Sequence, residues 1–150
     1  MKRFPIAIES LVLFLVGVSL LASTAASAEE PKTPPKDRVV AMYFHRTQRC
    51  PTCLKMGSYT EEALKTGFAK QLKNKTVEFH YIDFQNEKNA AYSKAYKVTG
   101  PALIVAKVAN GKVAEFKNLK DIWTNVNDKK AFVKYVQDHI KAYREKEAAK

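Results

Sequence analysis

A mixed α/β sandwich in the order β-α-β-α-β-β-α is the fold this 150-residue sequence predicts, and three observations predict it. Short β-branched and aromatic runs alternate with amphipathic helical stretches, two such helices separate three strands, and an Asn-Gly pair turns the third strand into a hairpin. Crossover helices join parallel strands and cover both faces of a sheet, and the hairpin adds an antiparallel edge. The expectation is a four-stranded mixed sheet whose first three strands run parallel.

Residues 38–45 (RVVAMYFH) are long enough for one buried strand and end at a cysteine loop. From Cys50 onward Leu54, Tyr59, Ala63, Leu64, Phe68 and Leu72 recur at helical spacing. Gly57-Ser58 interrupts that pattern, and Ser58 with Glu61 has the form of a capping box, which predicts a kink or restart there. Residues 76–84 return to β-rich composition, and 86–96 place Ala91, Tyr92, Ala95 and Tyr96 on one helical face behind an Asn cap.

Pro101 opens a strand over 102–109 (ALIVAKVA), apolar enough to be covered on both faces. Asn110-Gly111 then predicts a hairpin, with 112–116 returning antiparallel. Leu119, Ile122, Trp123 and Val126 mark a short extra helix around Trp123. Phe132, Val133, Val136, Ile140 and Tyr143 mark a longer helix capped by Asn127 or Asp128.

Upstream, Met1-Lys2-Arg3 is a basic n-region, Leu11 to Ala22 an apolar h-region, and Ala26-Ser27-Ala28 a small-x-small cleavage signature. The organisation read from the chain is a signal peptide over 1–28, a Pro/Lys-rich leader over 29–37 that is extended and mobile, one domain over 38–143 and a charged tail over 144–150. The alternative is an uncleaved anchor, since no charge interrupts Ser10 to Ala28. Export places the protein in the periplasm or outside the cell, with contact to a membrane only if the segment is retained.

The formal net charge is +11, but acidic residues are interleaved through the basic stretches, as on a solvated lysine-rich surface. Export argues against nucleic acid as a partner.

The two cysteines occur together as Cys50-Pro51-Thr52-Cys53, between the first strand and the first helix. A thiolate there faces unpaired backbone N–H groups and the positive end of the helix dipole, both of which lower its pKa. Arg46 and Arg49 add positive charge beside Cys50. Cys50 is then the attacking thiol, and Cys53, one turn into the helix, the resolving thiol. A structural staple is a poor alternative, because so short a loop removes little unfolded-chain entropy. Copper(I) held by the two thiolates with His45, Met42 or Met56 is a second reading, and a domain that only binds a partner is a third. A closed zinc site needs four ligands, and there is no second cysteine pair. For His45, strand-end packing and proton transfer both stand. His80 and His139 occupy periodic positions suited to surface or core duty.

A strand ending in an aromatic, a Cys-x-x-Cys helix and Gly100-Pro101 opening a later strand together resemble the thioredoxin-like superfamily, over about residues 38 to 143. The resemblance implies that Pro101 is a cis-proline packed against the cysteines, with the Thr99 and Gly100 backbone pairing with substrate peptide. Two departures accompany it. Arg49 stands where that superfamily usually has tryptophan, and Phe44 where it has a buried acid, so proton transfer to Cys53 falls to His45, water or another group. The segment from Phe44 to Cys53 (FHRTQRCPTC), Asn118-Leu119 with Trp123, and Phe132 to Tyr135 are more closely similar to small envelope proteins labelled the nitrophenyl compound nitroreductase subunit ArsF family. That label implies membership of a nitroaromatic-reducing system. The chain has no nucleotide-binding glycine loop and no further cysteines for a cluster, so no cofactor is expected. The function expected is that of an exported thiol-disulfide oxidoreductase, or electron carrier, acting on protein thiols or disulfides of the cell envelope.

Overall fold

The computed structural model of the protein describes residues 33–148. The expected signal peptide, residues 29–32 of the leader and the last two residues of the tail lie outside the described residues. Four strands form one sheet in the order β2-β1-β3-β4. The central strands β1 (Arg38–His45) and β3 (Ala102–Ala109) are buried along nearly their whole length. Of the flanking strands, β2 (Val77–Asp83) is half-buried and β4 (Lys112–Asn118) is largely exposed. The helices are α1 (Pro51–Gly67), α2 (Ala69–Lys73), α3 (Ala90–Ala95), α4 (Ile122–Asn125) and α5 (Lys129–Ala148), with a 3-10 turn at Glu87–Asn89 ahead of α3.

The alternation of a strand divides the core in two. Val39, Ala41 and Tyr43 of β1 pack under α1, α4 and α5 with Met56, Leu64, Ile122, Phe132, Val136 and Ile140. Val40, Met42 and Phe44 point the other way, to Ile82, Ile104, Ala106, Val98 and Tyr96 on the α3 side. Helices thus cover both faces, as the sequence pattern predicts.

Strand direction corrects that pattern. β1 and β2 are parallel, but β3 runs antiparallel to β1, with Ala102 opposite Phe44 and Val108 opposite Arg38. The reason lies in the crossover. Six residues of α3 rise about 9 Å, whereas an eight-residue strand spans about 26 Å, so α3 cannot carry the chain back to the start of the sheet. β3 therefore sets out from the end where β2 stopped.

Helix α3 also departs from the expected face. Asn86 does cap the turn, its side chain accepting from Lys88 N, but Ala91, Tyr92 and Ala95 are exposed, and Tyr96 and Val98 make the apolar contact instead. No kink occurs at Gly57-Ser58. α1 passes through it unbroken, and the break falls at Phe68, which leaves the helix at φ −139°. Gly57 serves packing, since a Cβ there would lie 2.9 Å from Tyr81 Cε1 and 3.1 Å from Tyr43 Cε1.

The hairpin forms as predicted, Asn110 and Gly111 taking φ of 53° and 77°. The end of the leader is tied to it: Asn110 N donates to Asp37 Oδ1 at 2.7 Å and Gly111 N to Lys36 O at 2.8 Å. Arg38 Nη1 donates to Pro35 O, so Pro35, Lys36 and Asp37 are fastened rather than free. At the other end α5 continues as helix to Ala148, through the charged tail expected as a fraying helix end. Among the described residues no helix is long and apolar enough to cross a membrane.

Of the two cap candidates for α5, Asp128 is the one used, its Oδ1 accepting from Ala131 N at 3.0 Å. Asp128→Ala is expected to lower stability by about 1 kcal/mol, and Asn127→Ala to leave it nearly unchanged. Urea unfolding midpoints at constant m-value check this, and equal losses would show that the cap is shared.

Candidate redox site

The site forms where β1 ends. His45 lies opposite Asp83 in the β1–β2 register, and the loop of residues 46–49 then crosses to α1. Three contacts hold that loop to the end of β2. Thr47 Oγ1 donates to Asp83 Oδ2 at 2.7 Å, Thr47 N to Gln85 Oε1 at 3.1 Å, and Phe84 N to His45 O at 3.0 Å. The Thr47 hydroxyl, ahead of the backbone N–H groups, holds the Asp83 carboxyl below its usual range.

Cys50 is the N-cap of α1, with extended backbone, and Pro51 follows at the first helical position, where its missing N–H costs nothing. The Cys50 sulfur accepts from Cys53 N at 3.2 Å, as a serine or aspartate cap would. The first turn contains no acid to oppose a thiolate. Cys50 is exposed and Cys53 is buried, both are free, and their sulfurs share a hydrogen bond at 2.7 Å. The Cys53 thiol and backbone N–H hold the Cys50 thiol below the ordinary thiol value. Burial, then the shared hydrogen bond with Cys50, pushes Cys53 up. Of the two, Cys50 is thus the more readily ionised thiol.

The remaining sequence-predicted residues distribute as follows. Arg46 acts on Cys53, lowering its pKa through space. Arg49 turns inward, its Nη2 2.7 Å from His45 Nε2 and its guanidinium 4.8 Å over the Tyr81 ring. His45 Nδ1 lies 2.8 Å from the Arg46 carbonyl, so that nitrogen donates and Nε2 accepts from Arg49. Both nitrogens of the buried ring are thus engaged.

Thr99, Gly100 and Pro101 directly precede Ala102, which pairs with Phe44, so the sheet brings them to the same end as the cysteine loop. The Gly100–Pro101 bond is trans, since the described residues contain no cis peptide; this corrects the cis-proline that the resemblance implies. The trans form of an X–Pro bond is the one favoured, by about 0.5–1 kcal/mol. The soft donors proposed for copper(I) are separated: Met42 belongs to the α3-side core, and Met56 is fully buried on the opposite face.

Sequence reasoning missed Tyr43. Its fully buried ring packs beneath α1, and its hydroxyl donates to the Cys53 carbonyl at 2.8 Å. Burial, then the charges of Cys53 and Cys50, raise its pKa well above the ordinary phenol value. Beside it stands Tyr81, edge-on at 6.0 Å, whose hydroxyl donates to Glu61 Oε2 at 3.2 Å and is pushed up to about 12, first by burial and then by Glu61. The available signal was that a tyrosine inside a fully buried strand must find a partner for its hydroxyl.

Strand order, strand directions and the cysteine pair at the first strand-to-helix junction define a thioredoxin-like α/β fold with a close Cys-x-x-Cys pair. No family model matches this chain, and no curated protein matches it. Among solved structures, the chain is similar to thioredoxin from Fasciola hepatica, at 22% identity over 61% of this chain and 81% of that chain, with a TM-score of 0.38. It is likewise similar to a mutant thioredoxin from Halobacterium salinarum, at 22% identity over 71% of this chain and 75% of that chain, with a TM-score of 0.38.

Proposed function

We propose that this protein is an exported thiol-disulfide oxidoreductase, or electron carrier, that exchanges disulfides with protein partners of the cell envelope through Cys50 and Cys53. One observation carries the reading: an exposed N-cap thiol held below the ordinary thiol value lies 2.7 Å from a buried thiol pushed above it. The Cys50 thiolate attacks a partner disulfide, forming a Cys50–partner disulfide and releasing one partner thiolate. Cys53 then gives up its proton to that thiolate or to water and attacks Cys50 Sγ. The Cys50–Cys53 bond forms, the Cys50–partner bond breaks, and two electrons pass to the partner.

Export rests on the N-terminal sequence pattern, and Thr99 to Pro101 are proposed as the backbone that docks the partner. Arg49 and Phe44, in place of the tryptophan and buried acid usual in the thioredoxin-like superfamily, support the narrower form, a carrier serving one partner.

The reduction potential of the purified domain, equilibrated against glutathione buffers after metal removal, tests the proposal. A reversible couple between about −120 and −270 mV is expected. A pair that will not cycle in that range overturns the reading.

A further inference from the structure

The end of the sheet that carries the cysteines also gathers positive charge. Arg46 stands in the loop before Cys50, and its charge reaches Cys53. Lys55 follows Cys53 by two residues on α1, and Lys97 leads into the 99–101 segment. Lys120 is brought to the same end by β4: Asn118 lies opposite Ile104, and Leu119 N donates at 2.8 Å to the carbonyl of Leu103, which pairs with Tyr43. These cations are exposed, and none has an ion-pair partner among the described residues. The acids of the neighbouring segments are already committed. Asp83 accepts from Thr47, Glu61 pairs with Lys65, Glu62 pairs with Lys129, Asp121 is bonded to Tyr135, and Glu87 stands beside Lys88. Leu54, next to Cys53, is 52% exposed, and Trp123, three residues after Lys120, is 47% exposed. Large apolar side chains left open beside a charged rim are the anatomy of a protein contact surface.

We propose that this face selects a protein partner whose disulfide lies in an acidic segment, the basic rim of Arg46, Lys55, Lys97 and Lys120 drawing that segment onto Cys50. The inference rests on the redox reading above and narrows its partner. Steering needs no fixed ion pair. Clustered charges of one sign raise the encounter rate with an opposite charge and repel a like one, and salt weakens both effects. A net charge of +11 favours anions over the whole molecule, so the rim makes a narrower claim: the preference depends on charge at this end of the sheet and not on equal charge elsewhere.

The test uses three peptides of one length, each with a single cysteine beside a leucine and joined through it to thionitrobenzoate, their other residues being aspartates, asparagines or lysines. The Cys50 thiolate attacks the peptide sulfur, the Cys50–peptide bond forms, and thionitrobenzoate leaves as a coloured thiolate whose appearance gives the rate. Cys53 then displaces the peptide thiol. Each rate is divided by that of mercaptoethanol with the same peptide, which removes the peptide's own reactivity. At low ionic strength the aspartate peptide is expected to react about tenfold faster than the lysine peptide, with the asparagine peptide between them, and 1 M NaCl should bring the three together. Lys55→Glu with Lys120→Glu should abolish the preference. Lys70→Glu with Lys112→Glu removes the same charge at the far end, where α2 leads into β2 and the hairpin turns, and should retain it. No preference in the native protein, or an equal loss in both double variants, overturns the proposal. Should the reversed pair fail to fold, Lys55→Gln with Lys120→Gln is expected to give an intermediate loss, and an unchanged preference overturns the proposal. Failure of the redox reading looks different, since the native protein then keeps every peptide as a lasting adduct whatever its charge.

Discussion

Cys50→Ser is expected to abolish disulfide exchange, and Cys53→Ser to keep the first attack but stop at the mixed disulfide. The asymmetry follows from position: Cys50 is the exposed cap sulfur and Cys53 the buried one. A serine at 50 can still cap α1 by accepting from Cys53 N, so the fold survives while the nucleophile is lost. The Cys53→Ser protein should run as covalent adducts on non-reducing gels when mixed with oxidised partners, and the adducts should vanish on adding thiol reductant. Native Cys50 should also be alkylated by iodoacetamide with a pH midpoint below the ordinary thiol value, because the thiolate is favoured there. In Cys53→Ala that midpoint should move upward, as the largest stabilising contact, the Cys53 thiol, is gone. Equal reactivity of the two cysteines, or no adduct from Cys53→Ser, would contradict the assignment of roles.

The second large effect concerns Gly57. Replacing it with valine forces branched carbon into a space where even a Cβ meets Tyr81 at 2.9 Å and Tyr43 at 3.1 Å. Tyr81 is partly exposed and can swing aside, but Tyr43 is fully buried and cannot. Overpacking of this kind costs about 1–3 kcal/mol, and the upper end is expected because a β-branched residue brings two extra methyl groups. Gly57→Ala is expected to lose less, since alanine regains about 1 kcal/mol of helix propensity. The measurement is thermal or urea unfolding of both variants, joined to stopped-flow reaction with the aromatic disulfide DTNB, in which a first release of thionitrobenzoate reports attack by Cys50 and a second the resolution by Cys53. Because α1 carries the cysteines and Tyr43 lies beneath it, Gly57→Val should also slow the Cys53 phase. A valine variant as stable as the native protein would show that α1 can lift without consequence.

Much of this architecture was legible in advance because it depends on local pattern. The near-continuous apolar run over 102–109 marks a doubly covered strand, Asn110-Gly111 marks a hairpin, and the cysteines mark a helix start; all three stand. The direction of β3 was not legible, because it depends on how far α3 travels, and the periodicity over 86–96 does not reveal that only six residues become α-helix. Gly57 reads as a helix breaker in isolation, while its role is set by two tyrosines distant in sequence. Arg49 reads as charge for Cys50, yet its partners are a histidine and a ring that only folding brings near. Tyr43 reads as one more apolar residue of a buried strand, because nothing along the chain shows that its hydroxyl faces the cysteine helix.

The tie between residues 35–37 and the hairpin also decides how the molecule can be handled. Those residues are clamped at the start of β1, and Cys50 follows the end of β1, a strand length of about 26 Å away. Immobilising the domain on a bead or electrode through a linker fused ahead of Thr33 therefore leaves the thiols pointing away from the support, open to macromolecules in solution, whereas attachment through the Thr47–Gln48 loop would bury them against it.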